Sequence, residues 1–119
     1  MNNLIYIAGP YGRSKGVALE TLVKNVLWAN KFASEMFFKG WIPIIPHNWH
    51  YMMMTMNEWP DEKLFKVMGL EVLKICNAIL MTIGWERSEG SRQELAEAER
   101  LGLEVFYSIE DVPNVKDSQ

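Results

Sequence analysis

Glu94 and the small residues ahead of it carry the most suggestive chemistry in the chain. The stretch Gly84-Trp85-Glu86-Arg87-Ser88-Glu89-Gly90-Ser91-Arg92-Gln93-Glu94 follows an apolar, strand-like run and opens onto an amphipathic helix. At the carboxyl end of a strand, small residues let backbone N–H groups face an anion, and the helix dipole favours negative charge there. Such a junction can hold a phosphate. At about 100° per residue, Ser91, Leu95, Ala98 and Gly102 share one stripe, with Glu94 at its margin and Gln93, Glu97 and Arg100 on the solvent side. Glu94 is therefore directed along the packed edge of the helix, beside the anion site. Two readings of this segment stand side by side. Ser91-x-x-Glu94 matches a capping box, in which Ser91 caps the helix and Glu94 returns a hydrogen bond to the Ser91 N–H. A capping box requires neither Gly90 nor a serine six residues ahead of the carboxylate, whereas an anion cradle beside a nucleophile uses both.

Three further groups could line a pocket. The loop Gly9-Pro10-Tyr11-Gly12-Arg13-Ser14-Lys15-Gly16 has neither the Gly-x-x-x-x-Gly-Lys-Ser/Thr nor the Gly-x-Gly-x-x-Gly spacing, which argues against an NTPase or dinucleotide fold. It still offers a guanidinium, Arg13, suited to bidentate phosphate binding, and a ring, Tyr11, that can stack or hydrogen-bond; a merely solvated loop is the alternative. His47 and His50 are three apart without thiolates or a carboxylate cluster nearby, so a pocket wall is expected and a metal site is not. The run Met52-Met53-Met54-Thr55-Met56 with Trp59 reads as core, subunit contact or a cover over an aromatic ligand.

These groups need a frame, and the apolar patterning describes one. Leu4 to Ala8 reads as a buried first strand ended by Gly9-Pro10, and a helix runs through Leu19, Leu22, Val26, Ala29, Ala33 and Met36 to a stop at Gly40. Residues 41–46 form a second strand that its two prolines confine to the sheet edge. Pro60-Asp61-Glu62 opens a helix through Leu73, residues 77–83 form a third strand, Ser91 to Leu101 a third helix, and residues 103–107 a fourth strand. An acidic, loose tail is expected to follow. The strand and helix alternation implies a flavodoxin-like or Rossmann-like three-layer α/β fold with a four- to five-stranded, mainly parallel sheet. Ligands then bind at the carboxyl ends of the strands, where both glycine-bearing loops leave the sheet.

With 119 residues, 49% of them hydrophobic, a single domain over 1–119 with its core in 4–107 is expected. A formal charge of −3 offers no general attraction for nucleic acid polymers. Cys76 has no partner for a disulfide, and no apolar run approaches the roughly 20 residues of a membrane span. Cytoplasmic residence without a membrane partner is the default expectation. So many Trp and Met residues in a small domain suggest a homodimer or larger homo-oligomer sharing pocket walls.

Ile5-Tyr6-Ile7-Ala8-Gly9-Pro10, Pro46-His47 and the segment from Gly84 to Ala96 together resemble the nucleoside 2-deoxyribosyltransferase superfamily, over nearly the whole span from Leu4 to Tyr107. The similarity is strongest to its small phage and bacterial domains, relatives of the deoxynucleoside 5′-monophosphate N-glycosidases. The resemblance implies that Glu94 is the nucleophile, that Ser88, Gly90 and Ser91 contact a phosphate or sugar, and that Gly9, Tyr11, Arg13 and His47 contact the remainder of a nucleoside or nucleotide. No cofactor or metal is implied. One departure stands out: such relatives carry an aspartate on the helix before the third strand, where this chain has Gly69, and another where it has Asn77. The implied activity is cleavage or transfer at an N-glycosidic bond, with a nucleotide-binding module without turnover as the alternative.

Overall fold

Alternation along the first strand decides which side of the sheet each residue serves. In the computed structural model, which describes residues 3–12 and 16–115, strand β1 spans Leu4–Ala8 and is buried from Ile5 onward. Ile5 and Ile7 join one core with Ala29, Phe32, Ala33, Met36, Trp41, Leu80 and Phe106. Tyr6 and Ala8 face the opposite core with Leu73, Cys76, Ile79, Met81 and Ala98. A period of two thus splits a single buried run between two layers of helix.

Helix α1, Leu19–Phe38, closes the first layer through Leu22, Val26, Ala29, Phe32, Ala33 and Met36, and ends before Gly40, whose φ is 91°. Helices α3, Glu62–Leu73, and α4, Glu89–Leu101, close the second. Between the sheet edge and α3, a 3-10 turn over Pro46–Asn48 leads into a short helix, α2, Trp49–Met53, within the aromatic and Met-rich stretch. Strands β2, Ile42–Ile44, β3, Ala78–Met81, and β4, Glu104–Phe106, complete a four-stranded sheet of order β2-β1-β3-β4, with every pairing parallel. The fold is the three-layer α/β architecture expected, and proline-bearing β2 stands at the sheet edge. The chain builds outward from β1 first to β2 and then, on the other side, to β3. The switch in direction lies between β1 and β3, and the crevice beyond their carboxyl ends is where such sheets bind ligands.

Strands β2, β3 and β4 are each shorter than the apolar runs at 41–46, 77–83 and 103–107, α2 lies in a stretch given no helix, and two further boundaries change. The stretch after β4 is not loose through residue 115: Val112 is buried in the first core, the Trp41 Nε1 donates to the Pro113 carbonyl at 2.8 Å, and the Val115 N–H to that of Lys39 at 2.7 Å. Apolar Ile109, Val112 and Val115, spaced by three, outweigh the acidic residues between them. Helix α4 begins at Glu89 rather than Ser91, because a 3-10 turn over Trp85–Arg87 delivers an extended Ser88 to the capping position. Among the described residues no helix is long and apolar enough to cross a membrane.

Candidate active site

The crevice at the switch point is a cleft of about 150 Å³, and the two loops that leave β1 and β3 both line it. Each loop is held by a steric or polar constraint. A Cβ on Gly9 would collide with Thr82 Oγ1, and that hydroxyl donates to the Ala8 carbonyl at 2.9 Å, so the strand exits are pinned together. Gly84 takes φ 91° against Pro10, and the Asn25 side chain donates to the Tyr11 carbonyl at 2.8 Å, tying the first loop to α1.

Ser88 caps α4. Its Oγ accepts from the Ser91 N–H at 3.2 Å and from the Ser91 hydroxyl at 2.9 Å, while its carbonyl accepts from the Arg92 N–H. Helix geometry then directs the N–H groups of Glu89 and Gly90 out of the helix end, where its dipole is positive. A Cβ on Gly90 would meet nothing within 4 Å, so the space before this helix end is open. Ser88, Gly90 and Ser91 all line the cleft, although Ser91 is itself almost fully covered.

The capping-box reading of Ser91 and Glu94 does not hold. Glu94 does not turn back onto its helix; it accepts a short hydrogen bond from the Tyr6 hydroxyl through Oε2. The reason is register. Tyr6 is the β1 residue pointing to the second layer, and α4 crosses above it with Glu94 at its packed margin. Glu94 as a whole residue is half-buried and lines the cleft, and its carboxyl group is desolvated by the surrounding protein. Burial pushes its pKa up to about 7, against the opposing pull of the Tyr6 hydrogen bond. Burial, and next the charge of Glu94, hold the Tyr6 hydroxyl well above its ordinary pKa, so it remains a donor.

Tyr6 was not among the residues singled out in the sequence, where an aromatic residue in a buried strand reads as core. Its signal was nonetheless present: a buried tyrosine needs a partner for its hydroxyl, and period two sets it apart from Ile5 and Ile7. Gly69 completes this corner. A Cβ there would stand 2.7 Å from Tyr6 Oη and 3.3 Å from Glu94 Oε2, so α3 can approach the pair only without a side chain.

The opposite wall carries Tyr11 and His47. The His47 Nε2 lies 3.0 Å from the Gly9 carbonyl oxygen and must carry the proton, which leaves Nδ1 as a buried, unpartnered acceptor. Burial lowers the His47 pKa, opposed by the Gly9 and Pro10 carbonyls, so the ring is neutral at pH 7. Tyr11 lies over Phe65 with ring centroids 5.8 Å apart, and its hydroxyl is 2.5 Å from the Nδ1 of buried His50. The structure therefore brings Gly9, Tyr11, His47, Ser88, Gly90, Ser91 and Glu94 into one cleft. Arg13 lies outside the described residues. Among those described, no three His, Cys, Asp or Glu side chains cluster as metal ligands.

Chemically, the cleft sets a carboxylate with a phenolic donor on its floor, N–H groups and hydroxyls on one rim, and aromatic rings on the other. The fold is similar to that of a 2-desoxiribosyltransferase from Leishmania mexicana, with a TM-score of 0.57 and 22% sequence identity over 87% of this chain. The chain spans 61% of the length of that structure. No curated protein matches the sequence. Residues 3–108 match the family model described as "Domain of unknown function (DUF7768)", and the chain belongs to that family.

Proposed function

We propose that the protein cleaves or transfers at the N-glycosidic bond of a nucleoside or deoxynucleoside 5′-monophosphate, with Glu94 as nucleophile. The observation that carries this reading is the Glu94 carboxyl, held by Tyr6 at the floor of a cleft whose rim is a helix N-terminus. A carboxylate so placed can attack the anomeric carbon through an oxocarbenium-like transition state and form a glycosyl ester. Water or a second base then takes the sugar. Ser88 and the Glu89 and Gly90 N–H groups suit a 5′-phosphate, whose remote binding energy would orient the anomeric carbon. Tyr11 and Phe65 offer the base an aromatic wall. The similarity in fold to a 2-desoxiribosyltransferase supports the same chemistry.

A screen for free base across deoxynucleosides and their monophosphates, beside Glu94→Gln, tests this. Release by the native chain is expected, and its loss in the variant with nucleotide binding retained. Undiminished turnover in Glu94→Gln would remove the mechanism. A nucleotide-binding module is the second reading, favoured by a floor carboxyl whose pKa near 7 leaves it only partly ionised. Calorimetric binding with no base released after long incubation would select it. Cytoplasmic residence and self-association belong to the same proposal. Exposed Phe37 and Phe38 at the end of α1 are apolar surface of the kind a second copy covers. Sedimentation is expected to give a dimer or larger, and a monomer at working concentration would oppose it.

A further inference from the structure

Among the described residues Phe38 is the most exposed large apolar side chain, at 81%, and it shares one face of α1 with Trp28, which is 44% exposed. Between them on that face stand Lys31 and Glu35, both exposed. The four are spaced by three, four and three residues, so at about 100° per residue they fall within an arc of about 80°. The opposite face, through Val26, Ala29, Ala33 and Met36, is turned to the core. Neither charge has an ion pair among the described residues. Two uncovered rings thus bracket two opposite, unpaired charges.

Such a face is complementary to itself. When two copies of α1 lie antiparallel about a two-fold axis at the level of Ala33, Lys31 faces Glu35 of the second copy and Trp28 faces its Phe38. Each contact then occurs twice. Sliding one helix by four residues sets Lys31 against Lys31 or Glu35 against Glu35, and a parallel pair in register does both, so like charges oppose these alternatives. We infer that two copies of this chain pair through the exposed face of α1, antiparallel, with Lys31 of each against Glu35 of the other.

A contact over roughly 15 Å of helix is short for a stable dimer. The face, however, does not end at α1. Beside it runs a groove of about 340 Å³, lined by Trp28, Lys31 and Glu35 and, just beyond β3 and β4, by Ile83 and Tyr107, which are 68% and 53% exposed. Phe38 of the second copy arrives at the Trp28 end of this groove. The Trp28 ring is already held edge-on by buried Phe32, with centroids 5.5 Å apart, and a ring ordered before contact loses little freedom on binding. None of these residues lines the cleft that holds Glu94, so the pairing leaves each cleft open.

This pairing specifies the surface of the self-association proposed above and is independent of the reaction in the cleft. Sedimentation equilibrium of the full chain tests it through charge reversals at exposed positions. Lys31→Glu and Glu35→Lys are each expected to raise the dimer dissociation constant about 10- to 30-fold, because two attractive pairs become repulsive. An equimolar mixture of the two variants is expected to recover the native constant, since each copy then meets the opposite charge at both positions. Native-strength dimers in both single variants would overturn this surface and leave self-association standing. Weakening without recovery in the mixture would also overturn it, because the charges would then act within one chain. A native chain that stays monomeric would remove both the pairing and the self-association on which it rests.

Discussion

Burial of the Glu94 carboxyl, opposed by its hydrogen bond from Tyr6, makes stability and the proposed activity depend on pH in opposite directions. As the proposed nucleophile Glu94 would attack only when ionised, and burial raises its pKa to about 7, so base release is expected to rise with pH through that value. Stability goes the other way. The folded state keeps a proton that the unfolded chain, with the ordinary value of 4.5, has already lost, so the native state binds more protons between about 4.5 and 7. This contribution is fully present below 4.5 and is lost as pH rises through 7. Urea midpoints at pH 5 and pH 8 should therefore fall in the native chain, and Glu94→Gln should flatten the difference. Tyr6→Phe removes the hydrogen bond that opposes the upward shift. We expect it to lower kcat by about 10- to 100-fold and move the pH midpoint of activity upward, since one charge-assisted hydrogen bond contributes about 1.5–3 kcal/mol. A loss of activity with an unmoved midpoint would show that Tyr6 acts through packing alone.

At the scale of elements, the junction of the 3-10 turn with α4 sets the rim of the cleft. Ser88→Ala removes the acceptor of the Ser91 N–H and should cost about 1 kcal/mol by thermal or urea denaturation. An unchanged midpoint would mean that water replaces the cap. The order of elements was legible because each depends on local pattern: apolar runs of strand length, 3.6-residue spacing in α1, and prolines that consign β2 to the edge. The start of α4 was not, because Ser88 and Ser91 both suit a cap, and only the extended backbone that leaves residues 85–87 decides between them. Glu94 was legible as a group on the packed margin of a helix. Its partner was not, since the meeting of Tyr6 with Glu94 depends on which face of β1 the α4 crossing covers. Gly69 read as a missing carboxylate; in the folded chain it is the gap that lets α3 approach the Tyr6 hydroxyl.

Across the whole molecule, the segment after β4 behaves as part of the first layer. Ending the chain after Ser108 would strip Val112 from the core and the Pro113 acceptor from the Trp41 indole. We expect about 2–4 kcal/mol of destabilisation, from the lost apolar burial and an orphaned buried N–H, read as a lowered urea midpoint. A midpoint equal to that of the full chain would return this segment to a bystander. The two oxygens that meet at the floor of the cleft belong to residues 88 positions apart, one from the first strand and one from the last helix. Neither half of the polypeptide owns the proposed reaction centre. During renaturation, recovery of catalysis would therefore lag the return of helical signal, so turnover reports that both ends of the chain have found each other.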